Sequence, residues 1–181
     1  AKFLAKGLSA GASLVKLDLT DNNVNEEGGF ALAGMLFKQP NLKHVNLEAT
    51  SLGPKAAIQV AQALASGCPQ LEYLNLNACD ITPEGVPQVA QAISAMKNLK
   101  TLKISENELG DLGVAQICVA LKMAGCPVVE LDVSANELVE KGAVAAAKLA
   151  ASRAGFTSLN LDGNYISDEG VEEVKSIMEG A

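Results

Sequence analysis

The side chains that could carry chemistry are few. His44 is the only histidine, set in "LKHVNLEATSL". A strand would put it about 5 Å from its neighbours on adjacent strands. No serine or cysteine nucleophile is marked beside it by a motif, so it reads as a surface imidazole and not as a catalytic base. The four cysteines, Cys68, Cys79, Cys118 and Cys126, form no CxxC pair, and one histidine does not complete a zinc set. They read as reduced thiols in or near a core. Arg153 is the only arginine. It lies just before the last strand-like segment, a poor place for the arginine finger that phosphoryl transfer can use. No Gly-rich phosphate loop is present. The expectation is no catalytic residue, no metal site and no cofactor.

Composition narrows the remaining functions. The net charge is −7, hydrophobic residues make up 49% of the 181, aromatics only 3%, and there is no Trp. Small aliphatics must therefore fill the interior in close layers. No basic patch is visible, which argues against nucleic acid and favours a basic protein partner. No apolar run approaches the ~18 residues of a membrane span, and no signal peptide is visible.

The elements that position these residues come from a repeat. "LVKLDLTDNNV" begins at residue 14 and returns as "LKHVNLEATSL" at 42, "LEYLNLNACDI" at 71 and "LKTLKISENEL" at 99. It returns again as "VVELDVSANEL" at 128 and "FTSLNLDGNYI" at 156, so the spacings run 28, 29, 28, 29 and 28. The pattern LxxLxLxxNxL is that of a leucine-rich repeat, one strand and one helix per turn of a horseshoe. The predicted fold class is thus an α/β solenoid with parallel strands inside and helices outside. One domain covers 1–181, with a partial repeat at 1–13 and six repeats over 14–181. Residues 1–11 read as a helix whose strand is missing.

Each repeat carries the same devices. The strand centre, such as Leu17-Asp18-Leu19, alternates faces. At its exit stands a ladder: Asn22, Thr50, Cys79, Asn107, Asn136, Asn164. Asparagine there can satisfy backbone groups of neighbouring turns, and looser turns are expected at Thr50 and Cys79. Counting from the last apolar residue of each motif, position +4 is Gly28, Ala56, Gly85, Gly113, Gly142 and Gly170, which asks for smallness and close approach between repeats. Position +1 is the expected helix cap, poor only at Val139. Pro87 predicts a late or bent third helix. The extra residue of the longer repeats falls in the helix-to-strand loop, at the "GCP" of Cys68-Pro69 and Cys126-Pro127. Neither end shows an atypical polar cap, which predicts a fragment of a longer array. The unpaired edge of the first strand then predicts self-association.

Three rows of side chains should line the inner face. They are Lys16, His44, Tyr73, Thr101, Glu130, Ser158; then Asp18, Asn46, Asn75, Lys103, Asp132, Asn160; then Thr20, Glu48, Asn77, Ser105, Ser134, Asp162. Five acids face two lysines, with Asp21 and Glu106 adding acids at the strand exits. An extended, moderately acidic surface suits a basic protein better than a small molecule.

The alternation of 28 and 29 resembles the ribonuclease-inhibitor class of leucine-rich repeats. "LDLTDNNVNEEGG" (17–29), "LKISENELGDLGVAQI" (102–117) and "LNLDGNYISDEGVEEVKSI" (159–177) resemble the closing repeats of the Ran GTPase-activating proteins, especially of the plant and algal type. That resemblance implies a regulator of the small GTPase Ran and not an enzyme with its own active site. It also implies a cytoplasmic protein, held at the nuclear envelope through a domain outside these residues. Its catalytic asparagine matches no position here, so this stretch would contribute binding through Asp18, Asp21, His44, Asn46, Glu48, Tyr73 and Asn75. The alternative is a recognition module without GTPase activation, inhibitor-like or immune-receptor-like.

Overall fold

A computed structural model describes residues 13–180; the helix expected at 1–11 lies outside them. Each motif contributes a three-residue strand: β1 Lys16–Asp18, β2 His44–Asn46, β3 Tyr73–Asn75, β4 Thr101–Lys103, β5 Glu130–Asp132 and β6 Ser158–Asn160. They form one parallel sheet in chain order, in a register that pairs Lys16 with His44, His44 with Tyr73, Tyr73 with Thr101, Thr101 with Glu130 and Glu130 with Ser158. The helices between them are α1 Asn25–Leu36, α2 Pro54–Gly67, α3 Val86–Ala95, α4 Gly110–Met123, α5 Lys141–Ala151 and α6 Asp168–Glu179. Parallel neighbours need a crossover, and the helix of each repeat supplies it.

The core runs continuously between sheet and helices. Leu74, Leu102, Val60, Val89, Ile117 and Ala146 are fully buried in it, and many of its members are small, as the scarcity of aromatics requires. The small +4 residues allow the helices to approach. A Cβ on Gly142 would come within 2.8 Å of both Asp111 and Leu138, so the need there is for space. At Gly67 a Cβ would lie 2.4 Å from the Phe37 backbone. A 3₁₀ turn, Pro83–Gly85, precedes α3 and delays its start, with Pro87 in its first turn. There the missing proline N–H is one that the helix would leave unbonded anyway.

The ladder works across repeats. Asn107 Oδ1 accepts from the backbone N–H of Cys79 (3.3 Å) and Ile81 (2.9 Å), while its Nδ2 donates to Leu76, Ile104 and Ser105 carbonyls. Asn164 Oδ1 likewise accepts from Asn136 and Leu138. Thr50 and Cys79 do not loosen their turns, contrary to the sequence expectation. Both are fully buried. Thr50 Oγ1 donates to the Leu47 carbonyl at 2.6 Å and Cys79 Sγ reaches the same carbonyl at 3.1 Å. Where Thr50 lacks an amide acceptor, its backbone carbonyl takes the N–H of Val24 at 3.0 Å.

Repeats also complete each other's helix ends. Asn25 and Ser167 accept from Gly28 and Gly170 as ordinary caps. Val139 has no such oxygen, and Asp111 of the preceding repeat replaces it. Its carboxylate accepts from the N–H of Val139 (3.0 Å), Lys141 (3.2 Å) and Gly142 (2.9 Å). At the other ends, Cys68 Sγ donates to the Leu36 carbonyl and Cys126 Sγ to that of Met96. Arg153 donates to the carbonyls of Leu121, Cys126 and Val128. These are helix-terminal and loop carbonyls that lack partners within their own helix.

The helix of the last repeat differs from the others at one position. Position +9 reads Ala33, Ala61, Ala90, Cys118 and Ala147, all buried against the following helix. In α6 the same position is Lys175, paired with Glu172 at 2.7 Å. α6 thus carries a lysine where the preceding helices carry a small apolar residue.

Candidate functional site

The inner face is built by the side chains that alternate away from the core. Five of the six middle-row residues serve the backbone. Each accepts the N–H two residues on, as an Asx turn: Asp18 from Thr20, Asn46 from Glu48, Asn75 from Asn77, Asp132 from Ser134 and Asn160 from Asp162. Thr20 Oγ1 and Ser134 Oγ add second bonds to the same carboxylates, at 2.8 and 2.7 Å. The abundance of Asp and Asn here thus has a structural cause, which closes the strand and turns the chain outward.

Those bonds also fix acids in place. The Asp18 pKa is lowered, first by the hydrogen bond from the Thr20 hydroxyl. Asn75 Nδ2 donates to Glu48 Oε2 at 2.8 Å. Asn75 itself is buried, so it positions Glu48 more than it offers a surface. Asp21 is exposed at the exit of β1, and Asn46 is partly buried between Asp18 and Asn75. His44 and Tyr73 stack, with ring centroids 4.0 Å apart and planes inclined by 4°. Burial first, and then Lys16, lowers the His44 pKa, while Asp18 opposes them. The imidazole is therefore neutral near pH 7, half of an aromatic platform with the Asp18 carboxylate near it. The structure brings the seven sequence-proposed residues together over β1, β2 and β3.

Farther along, Thr101, Lys103, Glu130, Asp132, Ser158 and Asn160 line a depression of about 240 Å³. Thr101 Oγ1 donates to Glu130 Oε2 at 3.0 Å. Sequence reasoning placed these residues on the face without singling them out. The signal that could have done so is Lys103, the one middle-row residue that is neither Asp nor Asn. A roomier concavity, about 450 Å³, lies off the inner face beside Lys122, Cys126 and Arg153. Its arginine is already engaged with backbone carbonyls.

The thiols fit their structural places. Burial pushes Cys68, Cys79 and Cys118 up to about 12, and raises Cys126. Among the described residues no group of three or more His, Cys, Asp or Glu could hold a metal ion, and no helix is long and apolar enough to cross a membrane.

Comparison with known proteins agrees with this architecture. The Leucine Rich repeat family matches residues 12–33, 67–86, 95–118 and 156–174. The chain folds as a leucine-rich-repeat solenoid. It is 39% identical to RAN GTPase-activating protein 2 of Arabidopsis thaliana over 85 residues, 47% of the chain and 16% of that protein. It is 28% identical to the Sus scrofa ribonuclease inhibitor over 178 residues, 97% of the chain and 39% of the inhibitor. The leucine-rich-repeat domain also matches NACHT, LRR and PYD domains-containing protein 3 of Macaca mulatta, at 28% identity over 91% of the chain and 13% of that protein. It thus spans well under half the length of each of these relatives. Among solved structures, the tropomodulin C-terminal domain of Caenorhabditis elegans superposes with a TM-score of 0.63 at 14% identity, covering 97% of this chain and 91% of that one. An internalin of Listeria monocytogenes gives 0.56 at 16% identity, over 92% and 47%. Both share the fold.

Proposed function

We propose that this leucine-rich-repeat domain is a protein-recognition module whose inner face receives a basic segment of a partner protein. The observation that carries the reading is the cluster over β1, β2 and β3. Asp18 and Glu48 are carboxylates already held by Thr20 and Asn75, on the same three strands as the stacked His44 and Tyr73. Pre-positioned acids lose little freedom on binding, and an aromatic platform suits an arginine or lysine through cation–π contact. Fluorescence anisotropy with a labelled arginine-rich peptide tests this. Asp18→Lys with Glu48→Lys should weaken binding about tenfold or more at low salt. Equal weakening by Gln62→Lys with Gln91→Lys on the outer helices would overturn it.

A second, narrower reading has its own support in the 39% identity to RAN GTPase-activating protein 2. In that reading the domain docks on Ran in the cytoplasm, through Asp18, Asp21, His44, Asn46, Glu48, Tyr73 and Asn75, and does not stimulate hydrolysis alone. The match to ribonuclease inhibitor covers twice as much of the chain, so the general reading stands first. Single-turnover GTP hydrolysis by Ran separates them. Ran bound by residues 1–181 with no change in rate fits the narrower reading. No binding of Ran leaves only the general one.

A further inference from the structure

Lys103 breaks the rule that governs the middle row of the inner face. At the five other positions Asp or Asn closes the strand exit by accepting the N–H two residues on. A lysine has no acceptor and cannot do this. The duty is passed to the preceding repeat: Asn77 Oδ1 reaches across and accepts the Ser105 N–H at 2.8 Å. Lys103 is thereby released from backbone service. It stands half-buried near the centre of the sheet, between Asn75 and Asp132 in register. Among the described residues its ammonium makes no ion pair and no side-chain hydrogen bond. The other inner-face lysine, Lys16, lies 3.9 Å from Asp18.

The surroundings define what such a lysine can meet. It lines one depression with Glu130 and Asp132, whose carboxylates are occupied by Thr101 and by Ser134. These acids lie close enough to lower the local potential, yet they do not neutralise the ammonium by contact. A phosphate dianion entering there would face both acids and a chain of net charge −7. A single carboxylate flanked by cations would not. Its charge would meet Lys103, and its basic neighbours would meet Asp132 on one side and Glu48 on the other. We infer that Lys103 is a specificity-determining residue of the recognition face, contacting an Asp or Glu side chain that sits between basic residues in the partner's segment. This rests on the reading of the inner face as a protein-recognition surface, and names the charge order of what that surface accepts: basic, acidic, basic.

Random peptide display on residues 1–181 tests it, with wild type and Lys103→Glu screened in parallel against the same library. Wild type is expected to enrich an acidic residue between basic ones, and Lys103→Glu to replace that acid by Lys or Arg. The best wild-type peptide should lose about tenfold in affinity on Lys103→Met, in keeping with loss of one charged hydrogen bond. The melting temperature of Lys103→Met should stay within a few degrees of wild type, because the Asn77 bond to Ser105 remains. If both proteins enrich the same sequences, or if the wild-type peptides carry no acid, the inference about Lys103 is overturned while the recognition face stands. If wild type enriches no peptide at all, the recognition face itself fails. A Lys103→Met protein that melts far below wild type would make Lys103 a structural residue and overturn its assignment to specificity.

Discussion

The fourth and last repeats use the same motif but have different neighbours. Leu102 of β4 is fully buried between two flanking strands, and Val114 and Leu121 of α4 are equally covered. In the last repeat the matching Leu159 is half-buried, and Val171 and Met178 stay 37% and 38% exposed. Most of the stabilisation of a repeat therefore comes from the repeats beside it, as expected for a quasi-one-dimensional stack. The last described helix also carries Lys175, paired with Glu172, at the position where the preceding helices carry alanine or cysteine.

Truncation should separate the two regions most. Leu102→Ala is expected to cost about 4 kcal/mol and Leu159→Ala about half as much, since only the first leaves a closed cavity. Urea unfolding of both variants measures the gap, and equal costs would break the comparison. Next comes the ladder. Asn107→Ala leaves the Cys79 and Ile81 amides and several carbonyls without partners, and should cost about 3 kcal/mol. Asn22→Ala at the exposed first described turn, where among the described residues the side-chain amide bonds to Leu19 and Thr20, should cost under about 1 kcal/mol. The borrowed cap is worth less than the buried ladder residue Asn107. Asp111→Ala should destabilise by about 1 kcal/mol, and Asp111→Asn should recover part of it by keeping an acceptor. The smallest thermal effect is expected at the charged end. Lys175→Ala should shift stability by less than about 0.5 kcal/mol. It should nonetheless raise self-association in sedimentation velocity, because it restores the small residue that inner repeats use for contact.

The strands, their order and their register were legible because one period fixed all of them, and each motif leucine declared its face. Smallness at position +4 was equally plain. What stayed hidden depended on pairs of repeats. Nothing local to Val139 points to Asp111, 28 residues upstream, and nothing local to Thr50 shows that its carbonyl replaces an amide. Lys175 looks ordinary until it is set in its column. At the inner face the rows were legible, but the work of Asp and Asn in closing the strands was not, so structural and recognition roles could not be separated by residue type.

The central claim is that the inner face, over its first three strands, is where a basic segment binds. Backbone amide shift mapping of residues 1–181 with an arginine-rich peptide tests this most directly, run at low salt and again near physiological ionic strength, where exposed charges are screened within about 8 Å. The account predicts shifts concentrated at Lys16–Thr20, His44–Glu48 and Tyr73–Asn77, shrinking as salt rises. Shifts confined to the outer helices, or none at low salt, would contradict it.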